Sequence, residues 1–389
     1  MEIIALAIIF AASLGFQMWL FRRHAFTGLE YRCEFSSSEA HEGDSLYLVE
    51  TVYNKKLLPV PWLKVDIHSS RWLDFAGTCS VVAQDSRRVT SSFILKGYQR
   101  ITRRWKLKCL KRGVFTTENV TLVSGDLLNF SVVSIPARVD ASLTVYPEII
   151  DLEDVFVPVN FLQSDHIVKR WIVDDPFIIA GTREYTGSEP LNRVHWPATA
   201  KEGRLMVRKN DFTSRTGLTI LLNMQSKLYE YTDIVDKDIV ELGIKAAATL
   251  LDRALKLGNT VRMGSNGCIP GEEDRMIFTG EAADREHIGG LLRILAQLSM
   301  KTVRDFEIFL ESRIGEIDNS EIVIITPYLS CKMCDQIRLL QDGSNYVRVI
   351  LLNRVFEQGA LPGDIEIYVV AEKNILEKTA GKVEHEGSI

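Results

Sequence analysis

Leu218-Thr-Ile-Leu-Leu-Asn223 is an apolar run of strand length. Behind it, Asp238-Ile-Val-Glu-Leu-Gly-Ile-Lys-Ala-Ala-Ala-Thr-Leu-Leu-Asp-Arg-Ala-Leu-Lys-Leu257 repeats apolar residues at the 3.6-residue period of a helix. The alternation continues downstream. A strand at Thr260 to Met263 and a hairpin at Cys268 to Thr279 precede helices at Asp284 to Ser299 and Val303 to Leu310. Glu321-Ile-Val-Ile-Ile-Thr326 then reads as a strand, Cys331 to Leu340 as a helix, and Tyr346 to Leu352 and Asp364 to Val370 as strands. Strands separated by helices predict a mostly parallel sheet covered on both faces, because each crossover lays a helix over it. This α/β domain spans 216–371, and 372–389 is a polar, flexible tail.

Upstream the period changes. Ser45-Leu-Tyr-Leu-Val-Glu-Thr-Val-Tyr53, Trp62-Leu-Lys-Val-Asp-Ile67 and Ser91-Ser-Phe-Ile-Leu95 alternate apolar and polar residues, with turns at Gly43-Asp44, Asn54-Lys55, Gly113 and Gly125-Asp126. Pro59 and Pro61 suit an edge or a loop, since proline cannot serve a central ladder. Residues 25–150 therefore read as an all-β, sandwich-like domain.

Ile3 to Phe21 is a run of 19 residues without a charge, and Arg22, Arg23 and His24 come directly after it. A helix of that length spans about 28 Å, close to the hydrocarbon thickness of a bilayer. Trp19 stands where an indole favours the interface, and the basic residues after the run place the remainder of the chain in the cytoplasm. A secretory signal would carry its positive charge before the run. Residues 1–24 are thus expected to be a single-pass transmembrane anchor in the cell membrane, with the folded domains on the cytoplasmic side.

Of the 389 residues, 46% are hydrophobic and 25% charged, which suits a chain that buries a sizeable core. A net charge of −5 argues against a nucleic-acid partner. Six cysteines are too few for a disulfide scaffold. Cys331-Lys-Met-Cys334 is a lone pair with no second pair to complete a zinc site. Arg87 to Arg112 holds ten Lys or Arg and no acid. Lys106 and Lys108 share one strand face there, opposite Trp105 and Leu107. That face is either solvated or facing anionic lipid.

Between the two domains, 151–215 is a linker dense in Trp, Arg, Glu and His. Glu189 or Glu184 with His195 would serve as an acid/base pair, but no nucleophile, metal-ligand spacing or phosphate-cradling glycine loop accompanies them. The plainer reading is a polar clasp or partner surface built from Arg183, Tyr185, Glu189, Arg193, His195, Trp196 and Lys201, with the Trp196 indole filling a gap.

This segment resembles the signature of the domain-of-unknown-function family 58. Arg183, Tyr185, Arg193, Val194, Trp196, Thr199, Ala200 and Lys201 match its pattern, and Ser188-Glu189 stands where the family usually has Gly-Asp. Asn54 through Pro61-Trp62-Leu63, Lys111-Arg-Gly-Val-Phe115, Gly125-Asp126 and Val145-Tyr146-Pro147 resemble further elements of it. The resemblance implies a membrane-anchored protein with a β-sandwich-like part and a von Willebrand factor A-like domain. It also implies, as partner, a MoxR-type AAA ATPase or a transglutaminase-like membrane protein. Many such proteins have two N-terminal membrane helices, where this chain shows one.

A von Willebrand A fold raises a metal-dependent adhesion site, which needs Asp-x-Ser-x-Ser after the first strand because hard divalent cations take oxygen ligands. Here Asn223-Met-Gln-Ser226-Lys227 occupies that place, and Thr326 is followed by proline where a later acid is needed. With Asn223, Ser226 and Thr326 as a degenerate remnant, the cradle is expected to be neutral or cationic. No metal or cofactor is expected. The function expected is an interaction scaffold, accessory to the ATPase in envelope-associated assembly. The alternatives are a metal-dependent adhesion module and an enzyme using Glu189 and His195.

Overall fold

The computed structural model describes residues 2–76, 80–83, 86–126, 130–158, 181–184, 196–209, 217–230, 233–257, 259–282, 285–318, 320–343, 345–356 and 365–370. The chain divides into two compact units, Met1–Glu148 and Ile149–Ile389.

In the first unit α1 (Glu2–His24) precedes ten strands: β1 (Leu29–Phe35), β2 (Glu39–His41), β3 (Ser45–Asn54), β4 (Val60–Ser70), β5 (Leu73–Phe75), β6 (Ser80–Ala83), β7 (Ser86–Leu95), β8 (Arg100–Cys109), β9 (Gly113–Gly125) and β10 (Val132–Tyr146). They form a four-stranded sheet, β1-β3-β8-β5, and a six-stranded sheet, β2-β10-β9-β4-β7-β6. The period-2 alternation makes this a sandwich. Leu46, Leu48 and Val52 of β3 and Leu107 of β8 face inward from one sheet, and Leu63, Val65 and Ile67 of β4, Phe93 of β7 and Leu122 of β9 from the other, in one core.

Pro61 departs from the expectation of an edge or loop. It lies inside β4, between β9 and β7. The register of β4 on β7 slips between Val60 and Leu63, and such a bulge is where a strand interior tolerates the missing N–H.

One carboxyl interrupts the apolar core. Glu50 is fully buried and accepts hydrogen bonds from Ser91 Oγ at 2.8 Å, Trp105 Nε1 at 3.1 Å and Tyr31 OH at 3.2 Å. Burial raises its pKa despite those donors and the Arg103 charge. The neighbouring Cys33 thiol is pushed up to about 12, chiefly by the same burial.

Along α1, Ile4, Leu6, Ile8, Ile9, Phe10, Phe16 and Trp19 are exposed, while Leu14, Met18 and Phe21 are half-buried. Among the described residues no helix is long and apolar enough to cross a membrane. The side chains of Ile3, Ala5, Ala7 and Leu20 within α1 are not among those described.

The second unit opens with α2 (Leu152–Val155) and β11 (Phe156–Pro158), followed by β12 (Gly181–Glu184), α3 (Trp196–Glu202) and β13 (Met206–Lys209). Then come β14 (Gly217–Leu222), α4 (Lys237–Leu257), β15 (Thr260–Ser265), β16 (Ile277–Phe278), α5 (Arg285–Gln297), α6 (Phe306–Glu311), β17 (Glu321–Leu329), α7 (Cys331–Asp342), β18 (Tyr346–Phe356) and β19 (Glu366–Val370). Seven strands form one sheet in the order β11-β19-β18-β17-β14-β15-β16. The five from β19 to β15 are parallel, and β11 and β16 close the two edges antiparallel.

Both faces of this sheet are covered. On one, Ile220, Leu222, Val323 and Ile325 meet Val240, Ile244 and Leu251 of α4 and Leu291 and Leu295 of α5. On the other, Leu221, Ile322 and Ile324 meet Phe306 and Phe309 of α6 and Met333 and Ile337 of α7. Within the hairpin expected at Cys268 to Thr279, Ile269 bridges Glu272 antiparallel, and the short β16 pairs with Gly264 and Ser265 of β15.

Near the N-terminal ends of the parallel strands, Arg348 on β18 is almost wholly buried between two carboxylates. Its Nη1 contacts Glu321, and its Nε lies 3.0 Å from Glu366 Oε2. Tyr346 and Tyr368 donate to the same Glu366 at 2.6 and 2.9 Å. Burial alone would raise the Glu366 carboxyl, but the phenol and guanidinium donors and the Arg348 charge outweigh it and hold the pKa below the usual carboxylate range.

Removing the cation while leaving both carboxylates should be costly. Arg348→Met is expected to destabilise the second unit by about 3–5 kcal/mol near neutral pH. Because the folded pKa of Glu366 lies below its unfolded value, its contribution is present above the unfolded value and is lost as pH falls through the folded one. The gap between wild type and variant should therefore narrow below the ordinary glutamate value of 4.5. Urea unfolding across that range measures it, and a gap independent of pH would show that the pair does not act through this charge.

Candidate functional site

The chain runs from β14 to β15 on one side and then to β17 on the other, so the strand order reverses beside β14. In sheets of this kind ligands sit outside the carboxyl ends of the strands at that reversal. Asn223, Gln225 and Ser226 leave β14 there, Asn266 comes directly after β15, Asp305 precedes α6, and Thr326 and Tyr328 lie in the last residues of β17.

Gln225 occupies the crevice. It is 1% exposed, and its amide uses every hydrogen-bonding position it has. Nε2 donates to the Glu230 carbonyl at 2.8 Å and to Asp305 Oδ1 at 2.9 Å. Oε1 accepts from the Phe306 N–H at 2.7 Å and from Tyr328 OH at 3.1 Å. Burial raises the Tyr328 phenol, and the acids Glu307, Asp305 and Glu230 add to it, so the group stays protonated and donates. An amide offers two donors and two acceptor lone pairs, and all four are matched.

The surrounding groups are bonded as well. Asn223 Nδ2 donates to Thr326 Oγ1 at 3.0 Å, and Thr326 Oγ1 donates to the Tyr328 carbonyl at 2.7 Å. Asn223 Oδ1 accepts from the Gln225 N–H at 2.9 Å. Glu230 accepts from the Ser226 N–H, from Ser226 Oγ at 2.8 Å and from the Val235 N–H. Asn266 Oδ1 accepts from the Met224 N–H at 2.8 Å, and its Nδ2 donates to the Arg304 carbonyl at 3.0 Å.

Of the positions expected for a degenerate metal site, Asn223 and Thr326 do meet, while Ser226 turns to Glu230. The expectation of a neutral or cationic cradle is corrected. Two carboxylates, Glu230 and Asp305, come in from outside the motif, and Lys227 is exposed. Each of those carboxylates already receives the donors named above. Among the described residues no cluster of three or more His, Cys, Asp or Glu is placed to hold a metal ion.

The linker signature is described only in part. Arg183 stands on β12, opposite Val207 of β13. Tyr185, Glu189, Arg193 and His195 lie outside the described residues. Trp196 opens α3 and is 63% exposed, so its indole fills no gap, against the expected plug. Lys201 is also exposed. Thr199 fastens α3 to β13 by accepting from the Met206 N–H at 2.9 Å.

On β8, Lys106 and Lys108 share the outer face with Arg100 and Arg104, and Trp105 and Leu107 point inward. Cys331, exposed, and Cys334, buried, open α7.

No protein-family model matches the chain, and no curated protein matches it. Among solved structures, a non-cellulosomal cohesin from the archaeon Archaeoglobus fulgidus is 12% identical over 30% of this chain and 91% of its own, with a TM-score of 0.21. The CARDB domain of a Pyrococcus furiosus protein, solved with di-metal ions, is 13% identical over 32% and 98%, at 0.19. The sporulation control protein Spo0M of Bacillus subtilis is 12% identical over 29% and 49%, at 0.18. At such scores these likenesses carry no argument about this chain, and the resemblance to family 58 rests on the quoted motifs alone.

If Gln225 holds the crevice shut, replacing it by Leu should strand Asp305, Tyr328 and the Phe306 N–H together. Each buried group left unpaired costs about 1–3 kcal/mol, so Gln225→Leu is expected to lower the stability of the second unit by roughly 3 kcal/mol or more. Amide exchange at the start of α6 should quicken in step. Wild-type exchange at Phe306 in a folded variant would show that the amide does not close the site.

Proposed function

We propose that this chain is a membrane-anchored interaction scaffold, with α1 in the bilayer and both folded units on the cytoplasmic side. The second unit is a degenerate von Willebrand A-like domain. The observation that carries the reading is the occupied crevice. Where a sheet of this order would receive a ligand or a cation, the chain inserts the fully bonded amide of Gln225. Recognition is then assigned to the outer surface.

Two features support that use. Trp196, within the same signature as Arg193, is exposed, and large exposed aromatics are the side chains that anchor protein interfaces. The run from Ile3 to Phe21 carries no charge, and the helix that contains it measures roughly 34 Å at 1.5 Å per residue. The partner class, a MoxR-type AAA ATPase or a transglutaminase-like membrane protein, comes from the resemblance to family 58.

The test uses native membranes. The chain should resist alkaline extraction and, after mild solubilisation, retain a specific partner that Arg193→Ala with Trp196→Ala loses. Because Trp196 is exposed, Trp196→Ala alone should leave folding within about 0.5 kcal/mol of wild type, so capture lost by that single variant reports the surface and not unfolding. Release by alkali would sink the anchor, and equal recovery of the partner with the variant would sink this surface.

A further inference from the structure

α1 does not simply end above the sandwich. Lys56, in the β3–β4 loop, donates from Nζ to the carbonyls of His24 and of Ala25, the latter at 2.7 Å. It thereby holds the last turn of the helix, where carbonyls lack partners. Gln17, Phe21 and His24 then line a cavity of 140 Å³ together with Lys56, Pro59 and Pro61. The loop end of the sandwich therefore lies alongside α1 as far back as Gln17. From His24 to Gln17 is about 10 Å of helix, which carries the contact past Arg22 and Arg23 to the level of Trp19.

Three loops gather at that end. The β7–β8 loop rests on the β3–β4 loop, with the Tyr98 N–H donating to the Lys56 carbonyl at 3.1 Å. Gly97 permits the approach, since a Cβ there would stand 2.3 Å from the Leu57 carbonyl oxygen. The turn between β9 and β10 joins them through Asp126, which lines the same cavity and accepts from the Phe130 N–H at 2.8 Å. From these loops Leu57, Tyr98 and Phe130 project outward, 76%, 63% and 66% exposed. Exposed basic residues, Arg22, Arg23 and Lys96, lie in the same neighbourhood. Apolar and aromatic tips mixed with cations are what a headgroup layer accommodates.

We propose that this loop end is itself a membrane-contacting surface, seated in the headgroup layer of the bilayer that holds α1. The inference rests on the anchoring reading and goes beyond it. The sandwich is docked against the membrane by Leu57, Leu58, Tyr98 and Phe130 and does not swing on a tether.

The full chain, in a background lacking Cys79 and Cys331, is reconstituted in vesicles of phosphatidylcholine and phosphatidylglycerol. An environment-sensitive fluorophore is attached singly after Phe10→Cys, Leu57→Cys, Tyr98→Cys or Tyr47→Cys. The expected result is that labels at 57 and 98 lose quenching by a water-soluble quencher and gain it from lipids carrying a spin label near the headgroup. The label at 47, on the outer face of β3, should behave in the opposite way. Labels at 57 and 98 that stay in water, with the label at 10 inside the bilayer, would overturn the docking and leave the anchor standing. A label at 10 that stays in water would overturn both.

Discussion

A buried amide cannot be half satisfied without penalty, and Gln225 turns that constraint into the organising feature of the second unit. Its four bonds join the end of β14 to the Glu230 turn, the start of α6 and the end of β17. Parallel strands of a covered sheet leave a crevice where their order reverses, and water or a ligand must otherwise fill it. Here one side chain fills it from inside. Asn223, Thr326, Glu230 and Asn266 then bond to one another, to Ser226 and to nearby backbone. The same two carboxylates that could have attracted a cation serve instead as acceptors for Gln225 and for the Ser226 turn.

The sandwich uses buried polar groups for a related purpose. Asn54 ends β3 fully buried, donating to the carbonyls of Leu58 at 2.9 Å and Lys96 at 3.0 Å. One side chain thus fixes the β3–β4 loop against the β7–β8 loop, and that pairing sets Lys56 under the end of α1. Sequence, turn geometry and the helix contact form one chain of causes. Glu50 is different in kind. It bridges Tyr31, Ser91 and Trp105 across the two sheets, and its raised pKa favours the protonated form inside the fold. Its charged form opposes folding as pH rises above the unfolded carboxylate value.

Periodicity made much of this legible. The run from Leu218 to Asn223 and the helical spacing of Asp238 to Leu257 correspond to β14 and α4 within a residue, because burial on a covered sheet dictates apolar residues at those positions. Alternation in Ser45 to Tyr53 marks β3 for the same reason. What periodicity could not show is long-range polar pairing. Gln225 reads as an ordinary loop residue, since Asp305 is 80 and Tyr328 103 positions away. Pro61 misled because a bulge, which leaves no local mark, admits it to an interior strand. Trp196 misled because a large indole suggests burial on average, whereas at the opening of the short helix α3 it stands in solvent.

The two ends of the parallel sheet hold their carboxylates in different ways. At the N-terminal ends, Arg348 neutralises Glu321 and Glu366 within the sheet, and two tyrosines complete the acceptors. At the C-terminal ends, Glu230 is held by neutral donors: two N–H groups and a hydroxyl converge on it. Among the described residues, the crevice is therefore closed by its own hydrogen bonds as well as by shape.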